Sequence, residues 1–203
     1  MNQLVARRVR ATFGEGGYAL TELLTVLAIL TIVLGGLTAL FVSATTAEVD
    51  MRKRFEAQQE ARLAVDALRR EVHCASAISQ PSSPSAIVTL TLPSGCPSGS
   101  GTFSWCTVSA GTNRYQLYRS AAATCDSSGK QYADYLTPDL TSSDQTPVCG
   151  SPASLCAFEY SAPTATTRAK LKVEFPVDLD PVDASRAYKL VDALVLRNTS
   201  PTG

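Results

Sequence analysis

Gly17-Tyr18-Ala19-Leu20-Thr21-Glu22, followed at once by the uncharged run Leu23–Ala47, is the stretch of this chain that decides its fold. Roughly 20 apolar residues cross the hydrocarbon core of a bilayer as a helix, so the run is long enough to span with Glu22 at its lip. A carboxylate there is costly unless it meets a positive partner. Upstream, Arg7, Arg8 and Arg10 precede the run, and basic residues before an apolar span hold that end in the cytoplasm. An ordinary secretory signal carries an apolar core of about 7–15 residues before a small-residue cleavage site. Val42-Ser43-Ala44 imitates such a site, but the run is too long for that class. A plain anchor accounts for the length and leaves both Gly17 and Glu22 unexplained.

The apolar run does not end in a linker. Residues Glu48–Ile78 are rich in Ala, Arg, Glu, Gln and Leu, all good helix formers. Ala57, Ala61, Ala64 or Val65, Leu68, Val72 and Ala75 recur at three- and four-residue steps, which predicts an apolar stripe on a helix. Arg52, Lys53, Arg62, Arg69 and Arg70 are expected to face water, and Pro81 and Pro84 to stop the helix. Unbroken from Tyr18 to Ile78, it would measure about 90 Å. Gly35-Gly36 lies mid-span, where it reads either as a point of close helix approach or as a soft point in the helix. After Pro84 the period falls towards two. Ala86–Leu92, a hairpin of Thr102–Val108 and Asn113–Arg119 turning at Ala110-Gly111-Thr112, Ala169–Phe175 and a more buried Tyr188–Arg197 read as strands. Cys125–Cys156 and Ser161–Arg168 read as long surface loops. A long helix laid across an antiparallel sheet is an α+β fold. The expected organisation is a basic N-terminal segment at 1–17, a membrane-spanning helix at 18–47, its amphipathic continuation at 48–80 and a β-rich exported head at 81–203.

Lys and Arg total 18, as do Asp and Glu, across 203 residues, a balance that argues against a nucleic-acid binder. Removing residues 1–17 takes three arginines and one glutamate, leaving the remainder slightly acidic. Arg52-Lys53-Arg54 follows the span but is interspersed with Glu48, Asp50 and Glu56, which cuts its attraction for DNA and leaves lipid headgroups or acidic neighbours as its expected contacts. Cys74, Cys96, Cys106, Cys125, Cys149 and Cys156 all lie beyond the apolar run. An even number on the exported side points to disulfides in an oxidising compartment, with the pairing left open. A zinc site is disfavoured: the chain has no Cys-x-x-Cys, and its single histidine, His73, adjoins Cys74 on a helix whose neighbouring side chains diverge. Asp178, Asp180 and Asp183 form a weak calcium candidate that lacks the glycine and ligand count of a dedicated loop. Gly95, Gly99 and Gly101 sit among Pro, Ser and Cys without a following Lys-Ser/Thr, so no phosphate cradle is expected. With no relay around His73, the chain reads as a non-enzyme needing no cofactor.

Basic leader, Gly17, Glu22 and apolar run in register resemble the prepilin signal of type IV pilins and type II secretion pseudopilins. The resemblance implies cleavage between Gly17 and Tyr18 by a prepilin peptidase, N-methylation of Tyr18, and a salt bridge from Glu22 that registers subunits during assembly. The family usually begins its mature chain with phenylalanine; Tyr18 keeps the ring. Glu15 also departs from the usual basic leader. Many filament pilins have a proline where Ala39 stands, which makes Gly35-Gly36 the better place for local melting. Some pseudopilins bind calcium through head loops, the basis for considering Asp178, Asp180 and Asp183. Residues 64–71 and Leu194-Val195-Leu196-Arg197-Asn198 are similar to segments of J-type minor pseudopilins and minor pilins. The family's lollipop plan has a long helix half in the membrane and half against a disulfide-bearing head. Implied partners are the peptidase, other pilin subunits, and membrane lipid before assembly. The implied location is the inner membrane, single-pass with a cytoplasmic N-terminus, then a pilus or pseudopilus. A tip adhesin or DNA-uptake pilin binding through the Cys125–Cys156 region is the competing expectation.

Overall fold

The computed structural model describes residues 20–138, 148–149, 154–179 and 188–198. Gly17, Tyr18, Asp180 and Asp183 lie outside them. One helix, α1, runs Leu20–Cys74, and the chain divides between Val49 and Asp50 into two compact units.

In the first unit, the helix from Leu20 to Val49 exposes nearly every side chain, with Leu20 at 78%, Ile32 at 75% and Phe41 at 71%. Such a surface is stable only in an apolar medium or against other protein. The segment has a mean hydropathy of 2.5 over its most apolar window, long and apolar enough to cross a membrane and compatible with a single-pass protein. Its hydroxyls are satisfied within the helix: Thr25, Thr31, Thr38, Thr45 and Thr46 each donate to a carbonyl three or four residues back. That back-bonding spares lipid an unpaired hydroxyl.

In the second unit, α1 buries Ala57, Ala61, Ala64, Val65, Leu68 and Val72, the stripe that the three- and four-residue spacing predicts. Three of these are alanines, so the buried stripe is built largely of small side chains. The helix stops at Cys74, short of the expected Ile78 and well before Pro81. Ala75 N–H still donates to the Glu71 carbonyl, but Ser76 N–H donates to Thr91 instead. The next three residues, Ala77–Ser79, form strand β1, so sheet pairing rather than proline ends the helix.

The sheet is antiparallel throughout. Strands β2 (Ile87–Leu92), β3 (Gly101–Gly111), β4 (Arg114–Ser120) and β5 (Lys130–Leu136) follow β1; β6 (Val148–Cys149) and β7 (Ser154–Leu155) form a separate ribbon. After them come β8 (Phe158–Ser161), β9 (Lys170–Val177) and β10 (Tyr188–Val195), and the main order is β1-β2-β3-β4-β5-β9-β10 with β8 also pairing β9. The β3–β4 hairpin closes with Gly111 opposite Arg114 and a bulge at Ser109/Gly111. Its tip is therefore Thr112-Asn113, shifted from the expected Ala110-Gly111-Thr112, and Asn113 takes the left-handed φ of 54°, which asparagine tolerates.

β9 alternates as expected. Leu171, Val173 and Phe175 are fully buried, while Lys172 pairs with Glu174 at 2.7 Å and Glu159 at 3.6 Å on the other face. Three expectations are corrected. β5 forms inside the supposed Cys125–Cys156 loop, pairing β4 and reaching β9 through Leu136 opposite Val177. β8, which no alternation announced, pairs β9 from Phe158 to Ser161. β10 is an edge strand, and within the expected Tyr188–Arg197 only Leu194 and Leu196 are buried, because an edge has sheet on one side alone. Phe158 and Phe175 meet edge-to-face at 5.9 Å in the core. The second unit is thus an α+β assembly of helix on antiparallel sheet.

Candidate functional site

Two places concentrate chemistry. The first is the start of α1, where Glu22 is the acidic residue of the first turn and is exposed. A carboxylate in the first turn is favoured by the unpaired amides and the positive end of the helix. Glu22 has no ion pair among the described residues. Leu23–Ala47 carries no other charge, so the first turn holds the sole formal charge of a segment otherwise suited to lipid. Gly35 and Gly36 sit in unbroken helix, with nothing within 4 Å of where a Cβ would lie.

The second is the seam between the last turns of α1 and the sheet. Glu71 is 3% exposed among apolar neighbours. Its Oε2 accepts from Trp105 Nε1 at 2.7 Å and its Oε1 from Arg119 Nε at 2.8 Å. Arg119 lies over the Phe103 ring at 4.0 Å and donates to the Ser98 carbonyl at 3.4 Å. One turn on, Cys74 is bonded to Cys96, and Asn198 Nδ2 donates to the Cys74 carbonyl at 2.8 Å, satisfying an orphan acceptor at the helix end. Sequence reasoning missed Glu71, Trp105 and Arg119. A signal was present: Glu71 falls between Leu68 and Val72 on the apolar stripe, where a carboxylate must be paired.

The six cysteines pair with their sequence neighbours: Cys74–Cys96, Cys106–Cys125 and Cys149–Cys156. Cys106–Cys125 ties β3 to the segment before β5, and Cys149–Cys156 closes the small ribbon. His73 next to Cys74 is half-buried, and burial, then the nearby Arg197 and Arg69, push its imidazole below the ordinary value. Asp178 has a buried side chain whose Oδ1 lies 3.9 Å from an Arg54 guanidinium nitrogen, a cationic neighbour that works against a calcium ligand. Among the described residues no cluster of metal-ligating side chains forms.

The basic stretch after the apolar run is locally neutralised. Arg52 pairs with Glu56 at 3.0 Å, and Arg54 with Asp50 at 2.9 Å. Farther along, Arg69 bridges to Asp192 of β10 at 2.6 Å, and the Asp192 bond holds its guanidinium pKa above the ordinary value. On the outer side of the sheet, Arg114 grips Asp134 with two bonds of 3.0 and 2.6 Å, joined by Gln116 at 3.0 Å. No family model, curated protein or solved structure matches this chain.

Proposed function

We propose that this chain is a minor pilin or pseudopilin, cut between Gly17 and Tyr18, N-methylated on Tyr18, anchored by the apolar half of α1 and assembled through it into a filament. The observation that carries this reading is the Leu20–Val49 segment: fully helical, exposed along its length, and uncharged from Leu23 to Ala47 behind Glu22. A membrane anchor needs the apolar surface but gains nothing from a carboxylate at its lip. A subunit whose new N-terminus is an ammonium does gain. Methylation leaves that amine basic, and a neighbour's Glu22 neutralises it where neither charge is well solvated. Mispaired subunits leave both charges exposed to lipid, so the pair selects one stagger over others.

The disulfide-braced head in residues 50–203 is suited to an oxidising compartment. The test is intact mass and N-terminal sequencing of the protein from its native host. A mature chain beginning at Tyr18 with one added methyl supports the reading. A chain beginning near Thr45, or retaining Met1, overturns it in favour of a secretory signal or an ordinary anchor.

A further inference from the structure

We propose that Arg168, Lys170 and Arg197, with His73 beside them, form a docking surface for an acidic segment of another protein at the end of the second unit where α1 stops. Three stretches of chain are fastened together there. Lys170 stands opposite Val195 in the β9–β10 register, and Leu196 N–H donates to the Ala169 carbonyl at 3.0 Å, carrying that pairing past the strand ends. The next step sets Arg168 beside Arg197, and the Arg168 guanidinium donates to the Arg197 carbonyl at 2.8 Å. Asn198 Nδ2 in turn donates to the Cys74 carbonyl at 2.8 Å, which brings His73 and the end of α1 to the same place. Ala169 and Leu196 are fully buried, so alternation turns Arg168, Lys170 and Arg197 outward, and all three are exposed.

The patch is not neutralised from within. Elsewhere in the second unit Arg52, Arg54, Arg114, Lys172 and Lys189 each meet a carboxylate at 3.4 Å or less. Arg168, Lys170 and Arg197 have no ion pair among the described residues. Like charges at neighbouring strand positions repel, a cost that an incoming anion removes. His73 lies in the same field: burial first, then Arg197 and Arg69, hold its imidazole below the ordinary value against the opposing pull of Asp192. Asp192 is itself engaged by Arg69 at 2.6 Å.

The number of charges selects the partner. A duplex DNA site is typically held through about 6–10 phosphate contacts, and single strands stack on aromatic rings. This patch offers three permanent cations and no Phe, Tyr or Trp. Carboxylates on a short acidic segment match that scale, and a guanidinium takes them through paired hydrogen bonds. A carboxylate bound nearby also favours protonated His73, so binding strengthens as pH falls from about 7 to about 5.5, where partner carboxylates stay ionised. The surface lies wholly within the second unit and does not depend on how the N-terminus is processed.

The test is fluorescence anisotropy of a labelled hexaglutamate peptide with the full chain in neutral detergent micelles at low salt. Arg168→Gln/Lys170→Gln/Arg197→Gln is compared with a charge-matched variant, Arg52→Gln/Lys53→Gln/Lys130→Gln. A hexaglutamine peptide and a DNA duplex serve as further probes. The parent is expected to bind hexaglutamate, the patch variant to bind at least about tenfold more weakly, and the charge-matched variant to keep its affinity. His73→Gln should abolish the strengthening at lower pH. Lys170→Gln alone, whose side chain makes no bond among the described residues, should weaken binding with an unchanged melting midpoint, which decides the matter even where the triple variant fails to fold. Absence of hexaglutamate binding overturns the proposal. So does an equal loss in the charge-matched variant, full affinity in Lys170→Gln, or tighter binding of the duplex or of hexaglutamine.

Discussion

Trp105 Nε1 donates to the Glu71 carboxylate at 2.7 Å, joining the middle of β3 to the penultimate turn of α1. Trp105 is the chain's single tryptophan and is fully buried, so this bond lies inside the core. Its partner oxygen is held by Arg119, and the carboxylate is thus satisfied on both sides. Trp105→Phe removes the donor, leaves one Glu71 oxygen unpaired and opens a gap, which costs about 1–3 kcal/mol for the orphaned acceptor alone. Glu71→Ala strands the mostly buried Arg119 guanidinium and is expected to cost about 3–5 kcal/mol. Denaturant unfolding of the two single variants and the double variant checks this. Strict additivity of the two losses would refute the coupling.

Gly129 makes the tightest backbone approach among the described glycines. A Cβ there would sit 2.6 Å from the Arg119 carbonyl oxygen and 3.0 Å from its carbon, on the strand that carries the guanidinium to Glu71. Backbone cannot yield as a side-chain tip does, so Gly129→Ala is expected to destabilise the head by about 1–3 kcal/mol. Gly35→Ala and Gly36→Ala meet nothing and should each favour the helix by about 1 kcal/mol. Thermal unfolding of the head checks the first, and helix content by circular dichroism in micelles the other two. An unchanged melting midpoint for Gly129→Ala would contradict the close approach.

Local periodicity made much of this legible. The apolar run, the stripe from Ala57 to Val72 and the alternation in β9 each repeat with the period of their own element, so no partner was needed to see them. β5 and β8 were hidden for the opposite reason. Lys130–Leu136 mixes Lys, Gln, Asp and Tyr in a Cys-flanked, serine-rich stretch, and it is a strand because β4 and β9 offer it edges. The burial of β10 was misjudged because its apolar residues are those of an interior strand, while its place at the edge is a property of topology. The Cys74–Cys96 bond and the Glu71–Arg119 partnership join residues 22 and 48 positions apart, which no local pattern reports. At the N-terminal site, the residue types of the motif were readable, and Glu22 is found in the first turn of α1.

Acid should weaken the β4–β5 contact. Burial pushes the Asp134 carboxyl up, but hydrogen bonds from Arg114, Gln116 and the Tyr135 N–H more than offset it and hold it below the usual carboxylate value. A group depressed in the folded state stabilises it above its unfolded pKa of about 4, and that contribution fades as pH falls below 4 through the folded value. Arg114 is 37% exposed at its side chain, so screening limits the ion pair to the order of 1 kcal/mol. Asp134→Asn is therefore expected to lower stability at neutral pH by about that amount and to flatten the acid limb of the stability curve. Unfolding midpoints from pH 6 to about 2 read this out; a variant with an acid limb as steep as the parent's would remove Asp134 from the account.

If the chain is processed and assembled as proposed, Glu22→Gln would separate the two steps. The substitution keeps size and hydrogen bonding and removes the charge, leaving Gly17, Tyr18 and the apolar run untouched. On the proposed reading cleavage and methylation would act on Gly17 and Tyr18, so the mature mass should shift only by the side-chain change. Assembly is different. If Glu22 neutralises the ammonium of a neighbouring subunit, the variant leaves that charge without a partner in a poorly solvating medium. A single charge of this kind at an apolar interface is worth several kcal/mol, enough to lower incorporation at least tenfold. Sheared filaments and the membrane fraction are probed for the variant in a strain lacking the parent protein. Mature subunit accumulating in the membrane with little in the filament is the expected outcome. Parental levels in the filament would show that the carboxylate does no registering, and the apolar surface of α1 would then carry assembly alone.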